Sequence, residues 1–460
     1  MNVSFFGELL QSISESGRVL LERAGARRRN QEDQPDGIIA LCEDLLSSRG
    51  EASGVALARR ILDYYAALAP EARIAFFESL ARDFGADNAR LGAAVERWCA
   101  NRGDVTGSEL HAAAEPRRQE LFRRLNLAPG GTAALVNMRE QLLDALAHRS
   151  DLSVVDADLV HLLSSWFNRG FLVLKRIDWS TPANILEKII RHEAVHEIKS
   201  WDDLRRRIDP PDRHCYGFFH PALVDEPLIF VEVALADQIA RAIAPILAVE
   251  RDRVAPEQAS TAIFYSISNC QRGLAGVSFG NFLIKQVIED VSRKLPNLST
   301  FITLSPVPGF AAWLKREREN EESKILTPED RTALLALDIQ GWWSNPDCVR
   351  MLHDPMLRAA ANYLLRSRNA RGLPADPVAR FHLGNGARLE HIHLLADMSE
   401  KGLRQSHGVM VSYLYDLDDI ERNHEIYAGG RIIAAASNLR KIAGVLANDS
   451  AASPESAASH

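Results

Sequence analysis

The stretch Ser260–Leu295, STAIFYSISNCQRGLAGVSFGNFLIKQVIEDVSRKL, changes texture twice. Its opening, STAIFYSIS, is rich in β-branched and aromatic residues and reads as a strand. Gly273, Gly276 and Gly280 then punctuate the chain. Beyond them Ile284, Val287, Ile288, Val291 and Leu295 recur at helical spacing, which predicts a helix with one apolar face. The junction Ser266–Asn281 presents backbone N–H groups at the positive end of that helix, a geometry suited to a pyrophosphate, with Arg272 and Lys285 adding charge. The same residues equally make a plain β–α turn without a ligand, because the stretch is neither a Walker A loop nor GxGxxG.

More strands flank this unit. HCYGFFHP and EPLIFVEVAL precede it and STFITLSP follows it, while GFLVLKRIDW, just after Gly170, reads as an earlier strand. Ser180 and Thr181 offer an N-cap and Pro182 a first-turn proline for the helix ANILEKIIRH. SWDDLRRRI forms another short helix, and Thr327-Pro328 starts a further one. Residues 170–460 are therefore an α+β domain with a mostly consecutive sheet, whose Ala/Ser-rich tail frays from about Ala447. In Leu304–Phe310, LSPVPGF, two prolines stiffen the backbone and Pro306 holds Ser305 extended at a strand end. Ser305 there is either a ligand-facing hydroxyl or a capping serine. His382, in FHLGNGA (Phe381–Ala387), is either a poised acid or base or a structural histidine before a turn. SHGVMVSYLY, Ser406–Tyr415, is a small-residue turn entering a strand.

Residues 1–169 read as helix after helix. Leu57, Ile61, Tyr65 and Leu68 make one apolar stripe, and breaks fall at Pro70 and at Pro129-Gly130-Gly131. This half is an all-α bundle behind a basic leader, Arg27–Arg29. The chain has 460 residues, 46% of them hydrophobic and 25% charged, which is a globular composition. A net charge of −7 argues against a nucleic-acid footprint. No apolar run approaches the roughly 20 residues of a membrane span, and no signal peptide is legible. Five cysteines without a CxxC pair suggest neither a disulfide framework nor a thiolate zinc site, which points to a reducing, cytoplasmic setting. His192–His196 matches HExxH, but EIKSWDD after it reads as a turn and no third ligand follows, so no metal site is expected.

Taken together, EAVHEIKSWDDLRRRI, EPLIFVEVAL, STAIFYSIS with QRGLAGVSFGNFLIKQVI, TLSPVPGFAAWL, FHLGNGARLEHIHLLADMS and QSHGVMVSYLY resemble malonyl-CoA decarboxylase, in that family's order across most of residues 170–430. The glycine turn also resembles the Q/R-x-x-G-x-G/A loop with which acetyltransferase-like folds hold coenzyme A. Gly276 fits that pattern, whereas Leu274 stands where its first glycine would be. The resemblance implies a helical N-terminal domain and a catalytic domain of the acetyltransferase-like (GNAT) mixed-sheet fold. It implies conversion of malonyl-CoA to acetyl-CoA and CO2, usually by a homotetramer. It places the catalytic serine at Ser305, the catalytic histidine at His382, and the acyl-CoA loop on Ala275, Gly276, Val277, Ser278, Phe279, Gly280 and Asn281. Ser266 and Tyr415 match positions expected near the acyl group. Some relatives carry an acidic residue in place of Ser278, and the ending Ala-Ala-Ser-His lacks the SKL-type peroxisomal address that some relatives carry.

The implied chemistry asks for no metal or organic cofactor, because the thioester carbonyl can take the charge left on Cα as an enolate. The protein has to stabilise the enolate oxygen with fixed donors and deliver a proton to Cα. Two alternatives stand beside it. One is an acetyl-CoA-dependent acyltransferase, recognised by acceptor-dependent release of coenzyme A. The other is a non-catalytic acyl-CoA-binding protein, recognised by binding without turnover.

Overall fold

The computed structural model describes residues 35–47, 51–277 and 283–444. The basic run Arg27–Arg29 and the tail from Ala447 lie outside the described residues. The chain divides into two compact units. The first takes the described residues of Met1–Val173 with Phe218–Leu228 and those of Gln271–Phe279. The second takes Leu174–Gly217, Ile229–Cys270 and the described residues from Gly280 onward.

Eight α-helices fill the first unit among the described residues: α1 (Pro35–Leu46), α2 (Glu51–Ala67), α3 (Pro70–Asp83), α4 (Asn88–Ala100), α5 (Asp104–Ala114), α6 (Arg117–Asn126), α7 (Gly131–Leu146) and α8 (Ser153–Trp166). The stripe on α2 is buried at Leu57, Ile61 and Tyr65, while Leu68 falls just past the helix end. Pro70 opens α3, where its missing N–H costs nothing. Asp87 caps α4 by accepting from the N–H groups of Ala89 and Arg90, each at 3.0 Å. Within this unit the start of the glycine-rich segment lies against α7. A Cβ on Gly273 would stand 2.0 Å from the Val136 carbonyl oxygen, so only glycine fits. Arg139 donates to the Gly273 carbonyl at 2.6 Å.

An eight-stranded mixed sheet organises the second unit among the described residues. The strands are β1 (Val173–Ile177), β2 (Arg213–Phe219), β3 (Pro227–Ala236), β4 (Thr261–Asn269), β5 (Thr300–Thr303), β6 (Ser305–Pro306), β7 (Arg388–His393) and β8 (Met410–Leu414). Their order is β1-β2-β3-β4-β5-β8-β6, with β7 on β8. The expectation of a mostly consecutive sheet holds from β1 to β5 and then fails, because β8 enters beside β5. The helices that bear on the site are α9 (Ala183–His192), α10 (Trp201–Ile208), α11 (Leu283–Lys294), α12 (Phe310–Glu319), α13 (Pro346–Leu365) and α14 (Pro377–Gly384). The expected cap of α9 differs as well. Pro182 itself takes the N-cap position, and the Thr181 hydroxyl accepts from the Asp178 N–H at 3.0 Å instead.

One junction sets the site. β3 and β4 are antiparallel, whereas β4 and β5 are parallel from Thr261↔Thr300 to Phe264↔Thr303. Beyond that pair the strands part company. β4 stays with β3, pairing Ser266 with Glu232, while Ser305 pairs with Val411 of β8. In open sheets, ligands settle at the carboxyl ends of parallel strands where pairing switches. Alternation then sorts the faces. Ile263, Tyr265, Ile302, Leu304 and Met410 pack into one apolar cluster with Ile243 and Ala396. Thr303, Ser305, Tyr413 and Tyr415 look to the other side.

Candidate functional site

Ser305 sits at the first residue of β6, 5% exposed, held extended by Pro306 as its sequence implies. His382 comes from the last turn of α14. Asp376 starts that helix by accepting from the Ala379 N–H at 2.8 Å, and Pro377 follows at its first position. The helix stops in a tight turn. Gly386 has φ 81°, and a Cβ there would lie 2.0 Å from the Ile420 carbonyl oxygen. These features carry the imidazole to Ser305, where Nε2 lies 3.1 Å from Oγ. On the other side Nδ1 lies 2.8 Å from the Tyr415 hydroxyl. The Tyr413 ring stacks on the imidazole, centroids 4.6 Å apart and planes 21° apart.

Burial decides the protonation of this group. His382 is 2% exposed, and desolvation pushes its pKa down to about 3. Tyr415 is driven well above the usual phenol range for the same reason. The imidazole is therefore neutral at pH 7, one nitrogen donating and the other accepting. Ser305 Oγ also reaches Thr303 Oγ1 at 2.9 Å, and Thr303 accepts from the Tyr413 N–H at 3.1 Å. Two opposite sets of directions satisfy every contact. In one, Tyr415 O–H donates to Nδ1, Nε2–H to Ser305 and Ser305 to Thr303, and in the other each of these donations is reversed.

The structure brings together Ser305, His382 and Tyr415 and sets Ser266 in a different cluster. Ser266 Oγ lies 2.8 Å from both carboxylate oxygens of Glu193. Ser268 adds a hydroxyl at 3.2 Å, and the Val195 and His196 N–H groups add donors at 2.9 and 2.7 Å. Close by, Glu232 of β3 is fully buried, with Arg207 at 3.4 Å. Desolvation, then Glu193, push the Glu232 pKa up to about 8. Of the loop residues, Ala275 and Gly276 are exposed, Gly276 has φ 79°, and Val277 is buried. Ser278, Phe279, Gly280 and Asn281 lie outside the described residues. Arg272 is tied to Asp144 and Lys285 to Glu421 at 2.5 Å, so both charges considered for a pyrophosphate already have carboxylate partners.

HExxH is not on a helix. α9 ends at His192, and Glu193 leaves it with ψ 106°. Among the described residues no group of three or more His, Cys, Asp or Glu side chains could hold a metal ion. Nor is any helix among them long and apolar enough to cross a membrane. Sequence reading missed Thr303, Tyr413 and Glu193. The available signal for the first two was period-2 alternation, which puts Thr303 on the face of Ser305 and Tyr413 on that of Tyr415.

Comparison with known proteins extends the likeness to most of the chain. Residues 170–454 match the family model described as malonyl-CoA decarboxylase C-terminal domain, and residues 84–167 match that of the N-terminal domain. Mitochondrial malonyl-CoA decarboxylase of Anser anser anser is 37% identical over 414 residues, which is 82% of this chain and 81% of that protein. The crystal structure of malonyl-CoA decarboxylase from Rhodopseudomonas palustris is 60% identical, with a TM-score of 0.86 over 89% of this chain and 99% of that one. That from Agrobacterium vitis is 53% identical, with a TM-score of 0.84 over 88% and 99%.

Proposed function

Because the chain belongs to the malonyl-CoA decarboxylase family, we propose that it converts malonyl-CoA to acetyl-CoA and CO2, with Ser305 and His382 at the reacting centre and no metal or organic cofactor. The observation that carries the reading is the buried chain Tyr415–His382–Ser305–Thr303, with contacts of 2.8, 3.1 and 2.9 Å.

The steps follow from that chain. The Ser305 hydroxyl turns from Thr303 to the malonyl carboxylate and holds it out of the carbonyl plane. Thr303 keeps the Tyr413 N–H when this happens, so no buried donor is orphaned. The C–C bond breaks, CO2 leaves, and its electron pair passes to the thioester oxygen as an enolate. That oxygen needs fixed donors, a task that backbone N–H groups at a strand end can perform. His382 then gives its Nε2 proton to Cα, forming acetyl-CoA. Tyr415 O–H meanwhile stabilises the electron-rich ring through Nδ1, until solvent returns the proton. Ser305 stays uncharged and unacylated throughout.

We further place the protein in a reducing, cytoplasmic setting, since its five cysteines are free thiols, and we expect a homotetramer by the family resemblance. Residues 1–169 serve in this reading as the supporting and oligomerising domain and 170–460 as the catalytic one. The test is to incubate purified protein with malonyl-CoA, with and without EDTA, and to follow acetyl-CoA by mass. EDTA-insensitive acetyl-CoA, absent in His382→Ala, is the expected result. Unchanged malonyl-CoA sinks the proposal. Release of free coenzyme A only with an added amine would identify an acyltransferase.

A further inference from the structure

Two adjoining cavities in the second unit share the His407 side chain as a common wall. The first, about 750 Å³, is lined by Lys315, Arg318, Arg331 and Arg404 against two carboxylates, Glu319 and Asp338. Arg318 is spent on Asp338. Arg331 is different, because its guanidinium donates to the carbonyls of Glu317, Arg318 and Asn320 at 3.1, 2.9 and 2.6 Å, and no carboxylate among the described residues pairs with it. Lys315 makes no ion pair among the described residues. The second cavity, about 330 Å³, is walled by Trp342, Leu352, Met356 and Leu357, with Arg241 and His393 as polar points. Its volume lies within the range of small-molecule sites, roughly 300–1,000 Å³.

His407 stands at the joint with φ 52°, a left-handed backbone that a non-glycine residue adopts at a cost. Its ring meets Trp342 edge-on, centroids 6.5 Å apart. Burial, then Arg318, push its pKa down to about 4, so it adds a neutral donor and acceptor rather than a charge. The site is separate from the reacting centre. His393 Nε2 lies 2.8 Å from the Ser412 hydroxyl, on the face of β8 opposite Tyr413, which carries His382.

We propose that these cavities bind one amphiphilic anion, its acidic head between Lys315 and Arg331 and its hydrocarbon body against Trp342 and Leu357. Most of the charged side chains line the first cavity and most of the large apolar ones the second, with Arg241 the charged exception, which fits a ligand divided the same way. Neither inorganic phosphate nor a plain hydrocarbon uses both.

The test is binding of octanoate to the full chain by calorimetry and ligand-observed NMR, with acetate and octanol as probes lacking body or head. Octanoate should saturate one site and bind at least about tenfold more tightly than either probe. Lys315→Glu should weaken it about tenfold through the head, and Leu357→Trp, which fills the apolar lobe, should weaken it similarly. Both residues lie outside the reacting centre, and an unchanged Tm in either variant separates lost binding from lost folding. Absence of saturation at about 10 mM overturns the proposal. So do equal binding of octanol or acetate, indifference to both substitutions, and displacement of octanoate by malonyl-CoA, which would assign the cavities to the substrate. Binding is read without turnover, so this test stands or falls apart from the decarboxylase assignment.

Discussion

Two buried polar clusters hang from the same β-sheet, and they are built on opposite principles. Around Glu193, four donors converge on one carboxylate: two serine hydroxyls and two backbone N–H groups. The carboxylate's acceptor sites are taken up, and the cluster fastens the segment after α9 to β4. Around His382 every member is both donor and acceptor, and the chain Tyr415–His382–Ser305–Thr303 can reverse direction without losing a contact. The difference teaches how to tell a structural polar cluster from a chemical one. The first is saturated in one arrangement, and the second keeps protons that can move.

The most severe test of this contrast is a pair of substitutions. His382→Ala should lower kcat by about 10²–10⁴-fold with the circular dichroism spectrum unchanged, whereas Ser266→Ala should keep turnover within about tenfold. Comparable losses in both, measured as acetyl-CoA formed per unit time, would merge the clusters into one site. Next in size, Glu193→Gln replaces an acceptor-only group with an amide that carries two N–H donors of its own. It should destabilise the protein by about 1–3 kcal/mol, read as a lower urea midpoint, with kcat little altered.

Tyr415→Phe sharpens the other side. It removes one hydrogen bond, worth about 1 kcal/mol, so kcat should fall by roughly fivefold at constant KM. An equal rise in KM would mean the hydroxyl touches the substrate instead of the ring. The last effect is a pH dependence at Glu232, whose pKa rises on folding from about 4.5 to about 8. Between those values the native state holds the proton more firmly than the unfolded one, so stability is full below pH 4.5 and declines towards pH 8. In Glu232→Gln that slope should flatten, and denaturation midpoints across this window would reveal it. A parallel slope in both proteins would assign the titration elsewhere. His382 gives the opposite sign, since its depressed pKa makes stability fall as pH drops from about 6.5 towards 3.

What could be read in advance followed from local rules. Period-2 and 3.6 patterns located β2 to β5 and α11, and two prolines marked Ser305 as an anchored hydroxyl. The pairing of β8 beside β5 was not legible, because it joins residues far apart in the chain. The Tyr413 N–H reaches Thr303 across 110 positions. Ser266 shows the same limit from the other side. A serine at a strand end looks available until Glu193, 73 residues away, takes its hydroxyl. In the glycine turn, one glycine has a purely local reason, since Gly273 packs closely on α7.

The alternation along β8 has an evolutionary consequence. Ser412 serves the cavity side and Tyr413 the His382 side, and the step between them is a single residue. Loss or gain of one codon between Met410 and Tyr413 would exchange the two faces at once, removing the platform under His382 and the partner of His393 together. Substitutions can alter either face alone, whereas length changes cannot. This strand should therefore diverge in residue type while resisting insertion and deletion along its whole extent.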